Sequence, residues 1–268
     1  MIKNNSSTPR LSILGSGWLG SPLAQHFIAQ GHQVKLSTRQ TEKCESIKQL
    51  GAQPYLVDID TPILPPDFFD SDILICNITS KNQAGYAALI TQLAQSSIAQ
   101  VLFISSSSVY RNTNALVAED AGAEDPDSVL YQIEQAFQAC PDFKTTVLRL
   151  SGLIGYRRHP GRFFASGKVV AQPDAPVNLI HRDDCIGLIN KIIEQAAWGE
   201  VFNGCSDTHP TKRDFYSYTR SLLGESAPTF ADGAQNQTKI VSNAKIKQNL
   251  GYQFIYPDVM KIPFNEIG

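Results

Sequence analysis

The sequence predicts an α/β fold in which a parallel β-sheet is covered by helices on both faces. Short apolar runs alternate with helical patterns through the first 150 residues, which is typical of successive β-α-β crossovers. The runs are of strand length and almost continuously apolar, as expected for strands that are buried on both faces. Strands are predicted at residues 11–14, 33–37, 55–59, 72–77, 101–105 and 146–150.

Helices are predicted between these strands and after the last of them. The first covers residues 22–30, with Ser21 as a candidate N-cap and Gly31 just past its end. Residues 156–176 are rich in Gly, Pro and Arg and are predicted to form a loop, which a strand at 177–180 follows. The same periodicity predicts helices at 44–50, 86–96, 183–197, 212–223 and 243–250.

Composition excludes several classes of protein. The 268 residues are 42% hydrophobic, which is enough for the core of one or two domains. The net charge of -2 leaves no basic excess for nucleic acid, and no apolar run is long enough to cross a membrane. The five cysteines are dispersed and form no C-x-x-C pair, which argues against a disulfide framework or a metal site. We therefore predict a reduced, cytoplasmic protein without metal, nucleic acid or membrane partners.

A glycine-rich turn follows the first predicted strand. Residues 15–20 read Gly15-Ser16-Gly17-Trp18-Leu19-Gly20 and match G-x-G-x-x-G between a strand and a helix. The first glycine allows the tight turn, the second allows a pyrophosphate to approach the backbone, and the third allows close packing of the helix. The helix N-terminus then directs N–H groups at phosphate. These six residues predict dinucleotide binding by a Rossmann fold, against the alternative of a glycine turn that binds nothing.

The fold class predicted is therefore α/β, a Rossmann doubly wound parallel sheet with a small C-terminal cap. The NAD(P)-binding domain is predicted to comprise residues 9–155 with 177–205. The substrate-facing cap is predicted to comprise residues 156–176 with 206–268, and the two parts to form one compact unit.

The end of the second strand favours NADP over NAD. It reads Ser37-Thr38-Arg39, with no acidic residue before Glu42. NAD-specific proteins usually carry an acid about 20 residues after the turn to hold the ribose 2′-hydroxyl. Arg39 and the two hydroxyls would suit a 2′-phosphate instead; the alternative is that Arg39 is a solvated surface charge. Asp58 is predicted either to reach the adenine amine or to cap a turn.

Several stretches resemble a known family. They are the glycine-rich turn and residues 103–110 (FISSSSVY), 148–152 (LRLSG) and 180–184 (IHRDD). On these residues, nearly the whole chain resembles extended and atypical short-chain dehydrogenase/reductases, the NAD(P)-dependent epimerase/dehydratase superfamily. Residues 17–20, 158–164 (RHPGRFF) and 241–243 (VSN) are similar to its small bacterial subgroup typified by YeeZ.

The resemblance implies a catalytic Ser or Thr, a Tyr acting as general acid/base and a Lys four residues after it. Ser106 matches the first position, or belongs to a run of serines without function. The Tyr-x-x-x-Lys pair is degraded, because in one register Tyr131 is followed by Gln135 in place of lysine.

A second register aligns Glu134 with the glutamate that commonly follows the family's lysine by four residues. Leu130 then stands at the lysine position and Pro126 at the tyrosine position. Tyr131 lies about 160° around the helix from Ile133, away from the apolar stripe. This favours the second register, in which Tyr131 is a surface or dimer-contact residue. The apolar stripe comprises Val129, Leu130, Ile133, Ala136, Phe137 and Cys140.

The resemblance also implies that His159, Arg162 and His181 line a substrate pocket. The alternatives are a solvated basic loop for the first two and a packing role for His181. Two functions remain open for the chain. It is either an NADP-dependent oxidoreductase, epimerase or dehydratase acting on a small polar substrate such as a sugar nucleotide, or a non-catalytic NADP-binding sensor or regulatory protein. A homodimer is implied by the family.

Overall fold

The computed structural model describes residues 8–61, 64–165, 167–232 and 238–264. Strands and helices alternate through the first half of the chain, as predicted. The strands are β1 (Leu11–Leu14), β2 (Val34–Thr38), β3 (Gln53–Leu56), β4 (Ile73–Cys76), β5 (Gln100–Ser106), β6 (Leu116–Val117), β7 (Lys144–Leu150), β8 (Gly152–Ile154), β9 (Leu179–His181), β10 (Val201–Gly204) and β11 (Ile240–Val241). The helices are α1 (Gly20–Ala29), α2 (Cys44–Gln49), α3 (Gln83–Ala94), α4 (Val129–Ala139), α5 (Arg182–Glu194), α6 (Lys212–Ser221) and α7 (Ala244–Leu250).

Seven strands form the central sheet in the order β10-β7-β5-β4-β1-β2-β3. β1 pairs in parallel with both β2 and β4, and Leu11 lies opposite Val34 on one side and Ile73 on the other. Every residue of β1 and β4 is buried, because helices cover both faces of a parallel sheet. The predicted α/β parallel-sheet fold is confirmed. Strand order reverses at β1, and in such sheets ligands bind outside the carboxyl ends of the strands at this point.

The chain divides into two compact units. Unit 1 contains the described residues within 1–105, 126–148 and 197–201, and unit 2 those within 106–125, 149–196 and 202–268. The predicted Rossmann domain and cap have other bounds. That division stays a prediction, because compactness does not show which residues face a substrate.

Aromatic rings form the centre of the core of unit 1. Phe103 of β5 and Phe137 of α4 have ring centroids 4.9 Å apart, and Tyr86 of α3 contacts both rings edge-on. All three side chains are buried. Residues on these strands and helices share one apolar cluster, which orients α3 and α4 against the sheet.

A buried carboxylate organises unit 2. Asp184 of α5 has no exposed surface, and its oxygens accept hydrogen bonds from the Tyr252 hydroxyl (2.9 Å) and from the N–H groups of Ile255 (2.7 Å) and Tyr256 (3.0 Å). Burial raises the pKa of Asp184, and these three donors oppose that rise. Asp184 therefore holds residues 252–256 against α5.

Several element bounds differ from the predicted ones. α1 begins at Gly20 rather than residue 22, and Ser21 does not cap it, because the Ser21 hydroxyl donates to the Ser16 carbonyl at 3.0 Å. β3 ends at Leu56 rather than residue 59. The strand β10 was not predicted. Among the described residues, no helix combines the length and the apolar character that crossing a membrane would require.

Candidate functional site

The glycine-rich turn forms a cradle at the carboxyl end of β1. Gly15 has φ +110°, and a Cβ there would lie 2.5 Å from the Asn77 carbonyl oxygen. A Cβ on Gly20 would lie 1.8 Å from the Gly15 carbonyl oxygen, so α1 can start this close only without a side chain. A Cβ on Gly17 would meet nothing within 4 Å. Gly15 and Gly20 thus close the turn, while Gly17 leaves open space at the helix N-terminus. This geometry fits a pyrophosphate.

Polar groups around the turn hold its backbone in place. The Gly15 N–H donates to the hydroxyl of Ser37, which is buried at the end of β2 (2.8 Å). Leu19 is also buried, so it can offer a ligand only its backbone. Trp18 is half-buried and Gly17 is exposed. Of the predicted residues 15–20, Gly17 is therefore the exposed one.

Arg39 is the accessible group at the end of β2. The Ser37 hydroxyl is engaged by Gly15, and the Thr38 hydroxyl accepts the Gln40 N–H at 3.1 Å. Both side chains are buried, so the expected contribution of these hydroxyls to a 2′-phosphate site is not supported. The Arg39 side chain is 70% exposed, and its guanidinium lies 3.9 Å from the Asp60 carboxylate.

Asp58 caps a turn after β3. Its Oδ1 accepts the Asp60 N–H at 3.0 Å, and its carbonyl accepts the Thr61 hydroxyl at 2.9 Å. Of its two predicted roles, the turn cap is present in the structure, and contact with adenine stays a prediction.

Asn77 lies beside the glycine-rich turn, but it was not identified from the sequence as a site residue. It directly follows β4, and its Nδ2 lies 3.1 Å from the position that a Cβ of Gly20 would occupy. A polar residue that follows a buried strand beside the switch point was the available signal.

Ser106 and Tyr131, the two predicted catalytic residues, belong to different units. In unit 2, Ser106 precedes a 3₁₀ turn (Ser107–Val109), and its Oγ accepts the Ser108 N–H at 3.1 Å. Its hydroxyl proton can still be donated to a ligand oxygen. In unit 1, Tyr131 lies in the first turn of α4, where its N–H donates to the Ser128 hydroxyl at 3.5 Å and its side chain is half-buried.

Glu134 faces the interior of unit 1. It is fully buried, and its carboxylate accepts a hydrogen bond from the Ser105 hydroxyl. Leu130, one turn earlier, packs against the same apolar core. Glu134 and Leu130 thus both face the interior, as the helical periodicity predicts, and the choice between the two registers stays a prediction.

A buried charge network in unit 2 was also missed in the sequence. Arg149 of β7 is 2% exposed and forms an ion pair with Glu124 at 2.6 Å. Its Nη1 also donates to the Tyr110 hydroxyl (2.8 Å), which donates in turn to Asn203 Oδ1 (2.8 Å). Burial raises the pKa of Tyr110 to about 12, so the phenol stays protonated. The network fixes Tyr110, which directly follows the Ser107–Val109 turn.

His181 has a capping role in unit 2. Its Nδ1 accepts the Asp183 N–H at 3.3 Å at the start of α5, and its ring packs against those of Tyr156 (5.3 Å) and Tyr256 (4.2 Å). Burial lowers the pKa of His181 to about 4, with Asp183 acting in the opposite direction. The imidazole is therefore neutral at pH 7, and the predicted packing alternative is present in the structure.

His159 and Arg162 differ sharply in exposure. His159 is buried, its Nδ1 accepts the Gly161 N–H at 3.0 Å, and its ring lies 5.0 Å from that of Phe264. Burial lowers the pKa of His159, and the charge of Arg162 lowers it further. Arg162 is exposed. Only Arg162 of this pair presents its side chain to solvent.

The chain is similar to known proteins over almost its full length. It is 30% identical to protein YeeZ of Escherichia coli (strain K12) over 95% of this chain and 98% of that protein. Residues 10–129 match the family model described as the NAD binding domain of 6-phosphogluconate dehydrogenase.

Solved structures share the fold. A functionally unknown conserved protein from Silicibacter pomeroyi has a TM-score of 0.80 at 25% identity, covering 94% of this chain and 96% of that chain. The UDP-glucose 4-epimerase of Thermotoga maritima, solved with UDP-glucose, has a TM-score of 0.75 at 17% identity, covering 92% and 94%. Residues 10–129 thus match an NAD(P)-binding domain, and the solved structures show the same fold.

We expect Gly17→Ala to weaken dinucleotide binding at least about tenfold without unfolding the protein. The added methyl group meets no protein atom within 4 Å but enters the space where a pyrophosphate would contact the turn. Calorimetric titration with NADP⁺, together with a thermal melt, tests this. Gly20→Ala is the contrasting variant and should lower the melting temperature, because its Cβ overlaps the Gly15 carbonyl. Unchanged affinity in folded Gly17→Ala would contradict the site.

We expect His181 to make unfolding depend on pH. Its pKa is about 4 in the folded protein against an ordinary value of 6.5, so the unfolded chain binds a proton more readily. The stabilisation is complete above pH 6.5 and is lost as the pH falls towards 4. After a discount for partial solvent screening, the loss is about 2 kcal/mol. Denaturant titrations of wild type and His181→Asn, which retains a capping side chain, test this; parallel pH profiles would refute it.

Proposed function

The chain belongs to the same family as protein YeeZ, and we propose that it is an NADP-dependent oxidoreductase, epimerase or dehydratase of the epimerase/dehydratase superfamily. The observation that carries the proposal is the cradle at the carboxyl end of β1, closed by Gly15 and Gly20 and open at Gly17. A bound nicotinamide dinucleotide would supply hydride transfer. Residues 15–20 would hold its pyrophosphate through backbone N–H groups.

Arg39 supports NADP as the preferred cofactor. Its guanidinium is largely exposed at the end of β2, where Rossmann proteins meet the adenosine ribose. A guanidinium binds phosphate through charge-assisted hydrogen bonds. Without the help of Ser37 and Thr38, Arg39 alone would provide the preference, and NAD would bind more weakly. Asp58 is proposed to reach the adenine amine.

Ser106 is proposed to orient the reacting oxygen of the substrate. Its Oγ accepts the Ser108 N–H, which leaves the hydroxyl proton able to be donated to a substrate oxygen. Tyr131 is the proposed proton carrier. Neither Gln135 nor Leu130 brings the positive charge that would favour a tyrosinate. Proton transfer by Tyr131 would therefore be slow, or a different group would carry the proton.

The proposed substrate is small and polar, such as a sugar nucleotide. The structural neighbour from Thermotoga maritima was solved with UDP-glucose. The exposed guanidinium of Arg162 is suited to a phosphate or carboxylate. His159 and His181 would act at the pocket by holding the backbone around Gly161 and Asp183. A homodimer and a cytoplasmic location complete the proposal.

A second candidate function is a non-catalytic NADP sensor or regulatory protein. It is favoured by one observation: both registers lack the lysine of the family, and in the second register the helix turns Leu130 into the core instead.

We expect Ser106→Ala to lower turnover about a hundredfold while the affinity for NADP⁺ stays within about twofold, because a positioned hydrogen-bond donor contributes this much to rate. The assay follows nicotinamide absorbance with a panel of nucleoside diphosphate sugars. Ser108→Ala is the matched control, since Ser108 is exposed and contributes its backbone N–H to the turn. Equal turnover of Ser106→Ala and wild type would remove Ser106 from the mechanism.

The sensor predicts binding without turnover, and a protease pattern that changes with the redox state of the cofactor. Limited proteolysis with saturating NADP⁺ and with saturating NADPH tests this, with the ligand-free protein as the reference. Identical cleavage rates within residues 156–176 and 206–232 in both bound states would count against the sensor.

A further inference from the structure

We infer that Asp60 competes with the 2′-phosphate of NADP for Arg39 and thereby sets how strongly the site prefers NADP over NAD. The inference rests on the proposed function, because it concerns the same cofactor site.

Asp60 supplies the carboxylate that the sequence lacks at the end of β2. It lies beyond β3, yet its Oδ2 comes within 3.9 Å of Arg39 Nη1. Proteins that select NAD place a carboxylate near the adenosine ribose. Here the same neighbourhood holds both a carboxylate and a guanidinium, from two different strand ends.

The carboxylate is anchored more firmly than the guanidinium. Asp60 Oδ1 accepts a hydrogen bond from Asn82 Nδ2 at 2.7 Å, and Asn82 also caps α3 by accepting the Gly85 N–H at 3.1 Å. A Cβ on Gly85 would lie 2.3 Å from the Ile59 carbonyl, so the start of α3 is packed against the residue preceding Asp60. The side chain of Asp60 is 44% exposed and that of Arg39 is 70% exposed.

Competition follows from these contacts. A 2′-phosphate that pairs with Arg39 must draw the guanidinium away from an anchored carboxylate. The 2′-hydroxyl of NAD is neutral and does not need the guanidinium, so NAD does not meet this cost. Because exposed ion pairs shift equilibria by up to about fivefold, the effect should be modest and measurable.

Calorimetric titrations of NADP⁺ and NAD⁺ into Asp60→Asn test the inference. The amide keeps an oxygen that can accept from Asn82, so the α3 cap is preserved. We expect Kd for NADP⁺ to fall about three- to fivefold and Kd for NAD⁺ to change by less than about twofold. In an Arg39→Ala background, Asp60→Asn should change Kd for NADP⁺ by less than about twofold. Glu45→Gln, which removes an acid that pairs with Lys48 on α2, is the control of equal charge change.

Three results would overturn the inference. An Asp60→Asn variant that matches Glu45→Gln would leave Asp60 without a role in selectivity. An equal gain in the Arg39→Ala background would mean direct repulsion of the phosphate, with no competition for Arg39. If the wild-type protein bound neither dinucleotide, the proposed function itself would fail. The first two results leave that proposal intact.

Discussion

The contact between the backbone of Gly20 and the carbonyl of Gly15 determines how the first helix leaves the sheet. A Cβ at residue 20 would lie 1.8 Å from that oxygen, so the absence of a side chain is a geometric requirement. The turn also lies close to Asn77, and its Gly15 N–H donates to the Ser37 hydroxyl. These constraints leave open space at Gly17 beside the start of α1, and the proposed cofactor site depends on them.

The sequence was most informative where the physical signal is local. β1 and β4 are continuously apolar because both of their faces are buried, and the glycine spacing depends on residues only a few positions apart. β10 lacked such a signal, since only Val201 and Phe202 of its four residues are large and apolar, and its place in the sheet depends on pairing with β7. Ser21 suggested a helix start at residue 22, but the close approach of Gly20 allowed an earlier one.

The polar groups of the site were harder to predict, because their partners are distant in the chain. The Ser37 hydroxyl faces an N–H from the turn after β1, and Arg39 meets Asp60 from beyond β3. Arg149 likewise finds Glu124 and Tyr110 only in the folded unit. The sequence identified Arg39 and His181 as candidates, but it could not show that one is paired and the other is neutral.

The buried carboxylate of Asp184 makes residues 252–256 an integral part of unit 2. Its three donors all lie between Tyr252 and Tyr256. A proteolytic fragment ending before Tyr252 would leave an acidic group inside the unit without hydrogen-bond donors, and such a group costs far more than lost surface contacts. Removing residues 252–256 would therefore destabilise the packing of α5 around Asp184, although these residues are more than 60 positions away in sequence.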